Sequence, residues 1–130
     1  MNQFPKKYDL EERTATFGEE VIRLCNKISG SYVSQVIIKQ LMRSSTSIGA
    51  NYMEANGASS RNDFRNKIYI CKKESQETKH WLRMLLILYP NKKEEIKLLN
   101  NEVQSLIMIF QKITNSLKNK IGKLEIKNSM

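Results

Sequence analysis

The stretch of this chain with the spacing of a chemical site is Glu77-Thr78-Lys79-His80. On a helix, Glu-x-x-His sets a carboxylate and an imidazole one turn apart on one face, the unit from which di-iron sites in helical bundles are built. Such a site takes two of these units and two further glutamates. His80 is the single histidine, so half a site exists at most, and no metal or other cofactor is expected. Cysteine–histidine catalysis would need Cys25 or Cys71 beside His80, but both cysteines fall on apolar helical positions. With no CxxC they read as small buried hydrophobes of a reducing compartment. The few glycines form no phosphate-cradling loop. Glu74 and Glu77 would need a cleft to do acid–base work, which a packed bundle does not obviously supply. No enzyme is expected.

Polar residues that belong together are nevertheless present. Ser44, Ser47, Asn51 and Glu54 recur on one side of a segment rich in small residues, and Glu74, Glu77 and Thr78 lie in the middle of a later one. Small residues let two helix backbones approach. A buried polar group without a partner costs a few kcal/mol, so these side chains should bond to one another or to basic residues. The expectation is a structural network that sets helix register.

Four amphipathic helices must position these groups. Apolar or small residues step by threes and fours along Leu10, Thr14, Phe17, Val21, Leu24, Ile28; along Ile37, Leu41, Ser44, Ile48, Asn51, Ala55; along Phe64, Ile68, Cys71, Ser75, Thr78, Leu82, Leu85, Tyr89; and along Ile96, Leu99, Val103, Leu106, Phe110, Ile113, Leu117. Breaks fall between them. Gly30 suits a left-handed C-terminal cap, Ser60 with Asp63 an N-cap, Pro90 a stop, and Asn91 with Glu94 a capping box. Short connections make successive helices antiparallel. The predicted fold is all-α, an up-down-up-down four-helix bundle over residues 8–117, with a frayed or disordered basic tail over 118–130. With 130 residues, five glycines and two prolines, one such domain accounts for the chain. The longest apolar run, Met84 to Tyr89, is far shorter than the ~20 residues of a membrane span, and no signal peptide is visible, so a cytoplasmic protein is expected.

Charge and leftover hydrophobes point outward. Twenty-two basic residues against thirteen acids leave a net +9, which favours phosphate backbones or acidic partners. The candidate nucleic-acid-binding residues are Arg61, Arg65, Lys67, Lys72, Lys73, Lys79 and Arg83, with tail lysines Lys118, Lys120 and Lys123 as additions. Few aromatics are interleaved with them, which argues against a dedicated single-strand reader. Ile70, Trp81 and Met84 lie off the main apolar stripe and are candidates for a self-association interface, with Trp81 as anchor.

Two stretches carry a family resemblance: Gln40-Leu41-Met42-Arg43-Ser44-Ser45-Thr46-Ser47-Ile48-Gly49-Ala50-Asn51, continued by Glu54-Ala55-Asn56-Gly57-Ala58-Ser59-Ser60 and Phe64, and then Lys73-Glu74-Ser75-Gln76-Glu77-Thr78-Lys79-His80-Trp81-Leu82-Arg83. In this order and separation they resemble the 23S ribosomal RNA intervening-sequence proteins, over residues 10 to 117. The resemblance implies a four-helix bundle, a ring-shaped homopentamer, and kinship with the accessory variability protein of diversity-generating retroelements, a basic pentamer that binds nucleic acid and partners a reverse transcriptase. The expected function is a non-enzymatic oligomeric module that contacts RNA or DNA phosphates without reading sequence. The alternative is a scaffold docking an acidic partner protein.

Overall fold

The computed structural model describes the backbone of residues 9–28 and 30–129, and side chains as far as residue 117. Four helices follow one another: α1 Leu10–Asn26, α2 Tyr32–Asn56, α3 Arg61–Leu88 and α4 Lys93–Ser129, the last entered through a 3-10 turn at Pro90–Lys92. Packing contacts join α1 to α2, α2 to α3, α3 to α4, and, less extensively, α4 back to α1. Among the described residues the backbones of the diagonal pairs do not approach one another, although Tyr52 of α2 and Phe110 of α4 bring their rings to 6.4 Å across the core, so the helices stand as a square, an antiparallel up-down bundle. The α1/α2 and α3/α4 edges therefore lie on opposite sides.

Side-chain caps start the first three helices. Asp9 accepts from the Glu12 N–H at 3.3 Å, Ser31 from that of Ser34 at 3.4 Å and Ser60 from that of Asp63 at 3.0 Å. Each satisfies an N–H that has no partner within its own helix. Two other end signals act differently from expectation. No described glycine has a positive φ, so Gly30 is not a left-handed cap; α1 ends at Lys27, whose N–H bonds back to Cys25 and Leu24 carbonyls. A Cβ at Gly30 would stand 2.4 Å from Ser34 Oγ, so a side chain there would have to turn that hydroxyl away from its bond to the Ser31 carbonyl. Asn91 lies inside the 3-10 turn, with no side-chain cap bond at its start.

The apolar stripes meet in one core. Phe17, Val21, Leu41, Ile48, Ile68, Leu82, Leu85, Val103, Leu106 and Phe110 are fully buried, and every one stands on a predicted stripe. Thr14, Ser44, Ser75 and Thr78, also on those stripes, are buried with them. The helical backbone of α4 continues to Ser129, through the segment expected to fray. The side chains of that basic tail, Lys118, Lys120 and Lys123 among them, lie outside the described residues.

Candidate nucleic-acid interface

The α2/α3 seam brings the predicted polar residues together only in part. Thr78 Oγ1 donates to Ser44 Oγ at 2.9 Å across the buried seam. Ser47 and Asn51 turn back on their own helix, bonding the Arg43 and Ser47 carbonyls. Glu74 and Glu77 are held by Arg43 of α2, which reaches Glu74 at 3.1 Å and Glu77 through its other amino group. The bond to Glu77, and the negative charge of both partners, hold the Arg43 pKa above its ordinary value. Glu54 is on the surface, bonded to Lys67 at 3.0 Å. The arginine fork, the hydroxyl pair, the Lys67–Glu54 bond and the Cys71 thiol on the Ile48 carbonyl thus tie α2 to α3.

Neither element of the sequence-level chemistry is assembled. Glu77 is taken by Arg43, and His80 lies edge-on to Trp81 with ring centroids 4.9 Å apart. Among the described residues no three His, Cys, Asp or Glu stand close enough to hold a metal ion. Both cysteines are free thiols. Burial pushes Cys25 up to about 11 and Cys71 up to about 12, which keeps both protonated near neutrality.

The seven basic candidates do not share one face. Lys67 points to α2 and its Glu54 partner. Lys72 and Lys79 reach across to α4, donating to the side-chain carbonyls of Gln111 and Gln104. Arg65 lies over the Tyr69 ring, 5.3 Å from its centroid. Arg61, Lys73 and Arg83 are exposed, with no ion pair among the described residues. Lys79 and Arg83 are joined by two cations that the sequence reading passed over, Lys93 and Lys97 of α4, in a groove of about 740 Å³ between α3 and α4. No carboxylate lines it. A second groove, about 610 Å³, runs between α1 and α2, and there Asp9, Glu11, Glu12 and Glu19 contribute charge with no cation among the lining residues. The surplus of positive charge is therefore polarised across the bundle.

Ile70, Trp81 and Met84 are half-buried. Trp81 Nε1 is shielded from solvent without a hydrogen-bond partner, an indole donor left unsatisfied within this single chain.

Sequence reasoning missed the bond between α1 and α4. Arg13 Nε and Nη2 each lie 2.7 Å from a Glu102 carboxylate oxygen, and Nη2 also donates to Ser105 at 2.8 Å. Both charged side chains are buried. The signal was there: Arg13 falls at core spacing between Leu10 and Phe17, Glu102 between Leu99 and Leu106, with opposite charge.

Fold and site define a four-helix-bundle protein with a cationic interhelical groove on one side. The chain belongs to the 23S rRNA-intervening sequence protein family, whose profile matches residues 6–112. It is also similar to a solved structure, a protein of unknown function from the S23 ribosomal protein family of Bacteroides thetaiotaomicron. That structure is 33% identical, with a TM-score of 0.73, over 80% of this chain and 96% of that one. A search of the curated proteins found no match. No described helix is long and apolar enough to cross a membrane.

Proposed function

We propose that the protein is a non-enzymatic, self-associating binding module that contacts the phosphate backbone of RNA or DNA without reading base sequence. The observation that carries this reading is the α3/α4 groove, lined by four cations and no carboxylate, while the α1/α2 groove on the opposite side is lined by four acids and no cation. Such a polarised surface offers phosphates an uncompensated field. The family's name, which ties it to the 23S rRNA intervening sequence, is in keeping with a nucleic-acid partner. Self-association, as a homopentamer by the family resemblance, would use Ile70, Trp81 and Met84, apolar side chains off the core stripe that stay partly exposed in the single chain. A reverse transcriptase partner rests on the resemblance alone.

Affinity for an arbitrary structured RNA should fall steeply as salt rises, log K against log salt having a slope of roughly −0.7 to −0.9 per phosphate neutralised. Charge reversal at Arg61, Arg65 and Lys72 should weaken binding while assembly, read by light scattering, persists. Absence of binding at low salt, or binding indifferent to salt, rejects the proposal. In the competing reading, a scaffold for an acidic protein, RNA binding is absent and the same cations serve the partner's carboxylates.

A further inference from the structure

We infer that the α3/α4 groove is a track for a single-stranded phosphodiester backbone, an inference that rests on the nucleic-acid reading above. Its four cations form a ladder. Lys79 Nζ bonds Gln104 Oε1 at 2.5 Å, which fixes the register of the two antiparallel helices. With a rise of ~1.5 Å per residue, Arg83 then stands about 6 Å along the groove from Lys79, Lys97 about 10 Å and Lys93 about 16 Å. The order runs from two cations on the α3 wall, Lys79 and Arg83, to two on the α4 wall, Lys97 and Lys93, one every ~5–6 Å on average, roughly a helical turn. That interval is comparable to the separation of successive phosphates in an extended strand. Arg83, Lys93 and Lys97 are exposed and have no ion pair among the described residues, so binding a phosphate breaks no existing bridge.

Shape selects the strand. The groove is concave and runs between the two helices, and the apolar lining residues that keep some exposure are Leu86 and Ile107. A duplex is wider than the space between two packed helices and carries its phosphates on a convex, winding surface, so it meets fewer of the four cations at once. A single strand can lie in the groove and turn its sugars and bases toward the apolar side chains. His80, exposed at the rim, is the one ring among the lining residues, so the strand would be held by its phosphates and hardly by base stacking, a backbone track and not a dedicated reader of single strands.

The test is fluorescence anisotropy at low and rising salt on the full chain, with an oligouridylate single strand and an RNA duplex of equal length as probes. Lys93→Glu with Lys97→Glu reverses two charges on α4, outside the α3 residues already tested above. Lys39→Glu with Lys112→Glu reverses two exposed charges that do not line the groove. Circular dichroism and thermal unfolding verify that each variant is folded. The single strand should bind more tightly than the duplex. The Lys93/Lys97 pair should lose about tenfold or more in affinity and flatten the salt slope by about 1.4, while the Lys39/Lys112 pair loses far less. Tighter duplex binding, or equal losses from both pairs, overturns the track. Binding lost only on reversal of Arg61, Arg65 and Lys72 overturns the track and leaves the backbone-binding reading intact. No binding of either probe to the wild type at low salt overturns both.

Discussion

Between α1 and α2, Gly18 and Gly49 each face the other helix: a Cβ on Gly18 would come within 3.8 Å of the Ser45 carbonyl and Thr46, and one on Gly49 within 3.4 Å of Thr14. Between α3 and α4, lysines instead lean across to glutamines at Gln104 and Gln111. The first hairpin carries Asp9, Glu11, Glu12 and Glu19 around its groove; the second carries Lys79, Arg83, Lys93 and Lys97. Both are antiparallel helix pairs contributing to one apolar core. Side chains facing the core set the fold, and those one step around each helix are free to give the two sides opposite charge. Net charge is a sum over the surface and conceals this division.

The two hairpins are joined on one side by the Arg43 fork and on the other by the buried Arg13–Glu102 pair, and the second junction should matter most. Arg13→Met leaves Glu102 buried without its partner, which should cost about 3–5 kcal/mol, read from urea unfolding. Adding Glu102→Leu should restore most of that loss, because a well-packed apolar pair replaces two desolvated charges. If the single variant unfolds at the wild-type midpoint, the junction is not a structural tie.

The closeness of the first hairpin can be sharpened next. Gly18→Ala places a methyl at ordinary contact distance on a helix that gains from alanine, so stability should rise by about 0.5–1 kcal/mol. A fall instead would mean that α1 and α2 tolerate no Cβ there.

The smallest effect on stability, and the sharpest on the comparison, comes from charge. Glu19→Lys alters an exposed residue of the acidic groove beyond the first turn of α1 and should change stability by less than about 0.5 kcal/mol. RNA affinity should rise by a few-fold, through removal of repulsion, and the preference for single strand over duplex should remain. If that preference disappears, the two grooves are not independent surfaces.

The stripes were legible residue by residue because the helical period places the same positions inward whatever the neighbours are. The caps at Ser31 and Ser60 are likewise local, one side chain bonding an N–H three residues on. Asn91 failed as a cap because the proline before it opened a 3-10 turn first. Glu74 and Glu77 were recognisable as groups needing partners, but that Arg43 serves both depends on how α2 lies on α3.

By itself, then, the sequence determined the four helices, their inward faces, the short connections that make them antiparallel, and the size of the positive charge excess, since all of these follow from spacing and count. The tertiary structure alone decided which charges meet. It sent Lys67 to a glutamate on α2, took Lys79 and Arg83 to a groove shared with Lys93 and Lys97, and joined Arg13 to Glu102 across 89 positions of chain. Electrostatic interaction depends on separation in space and on exclusion of water, and neither is encoded in the interval along the chain.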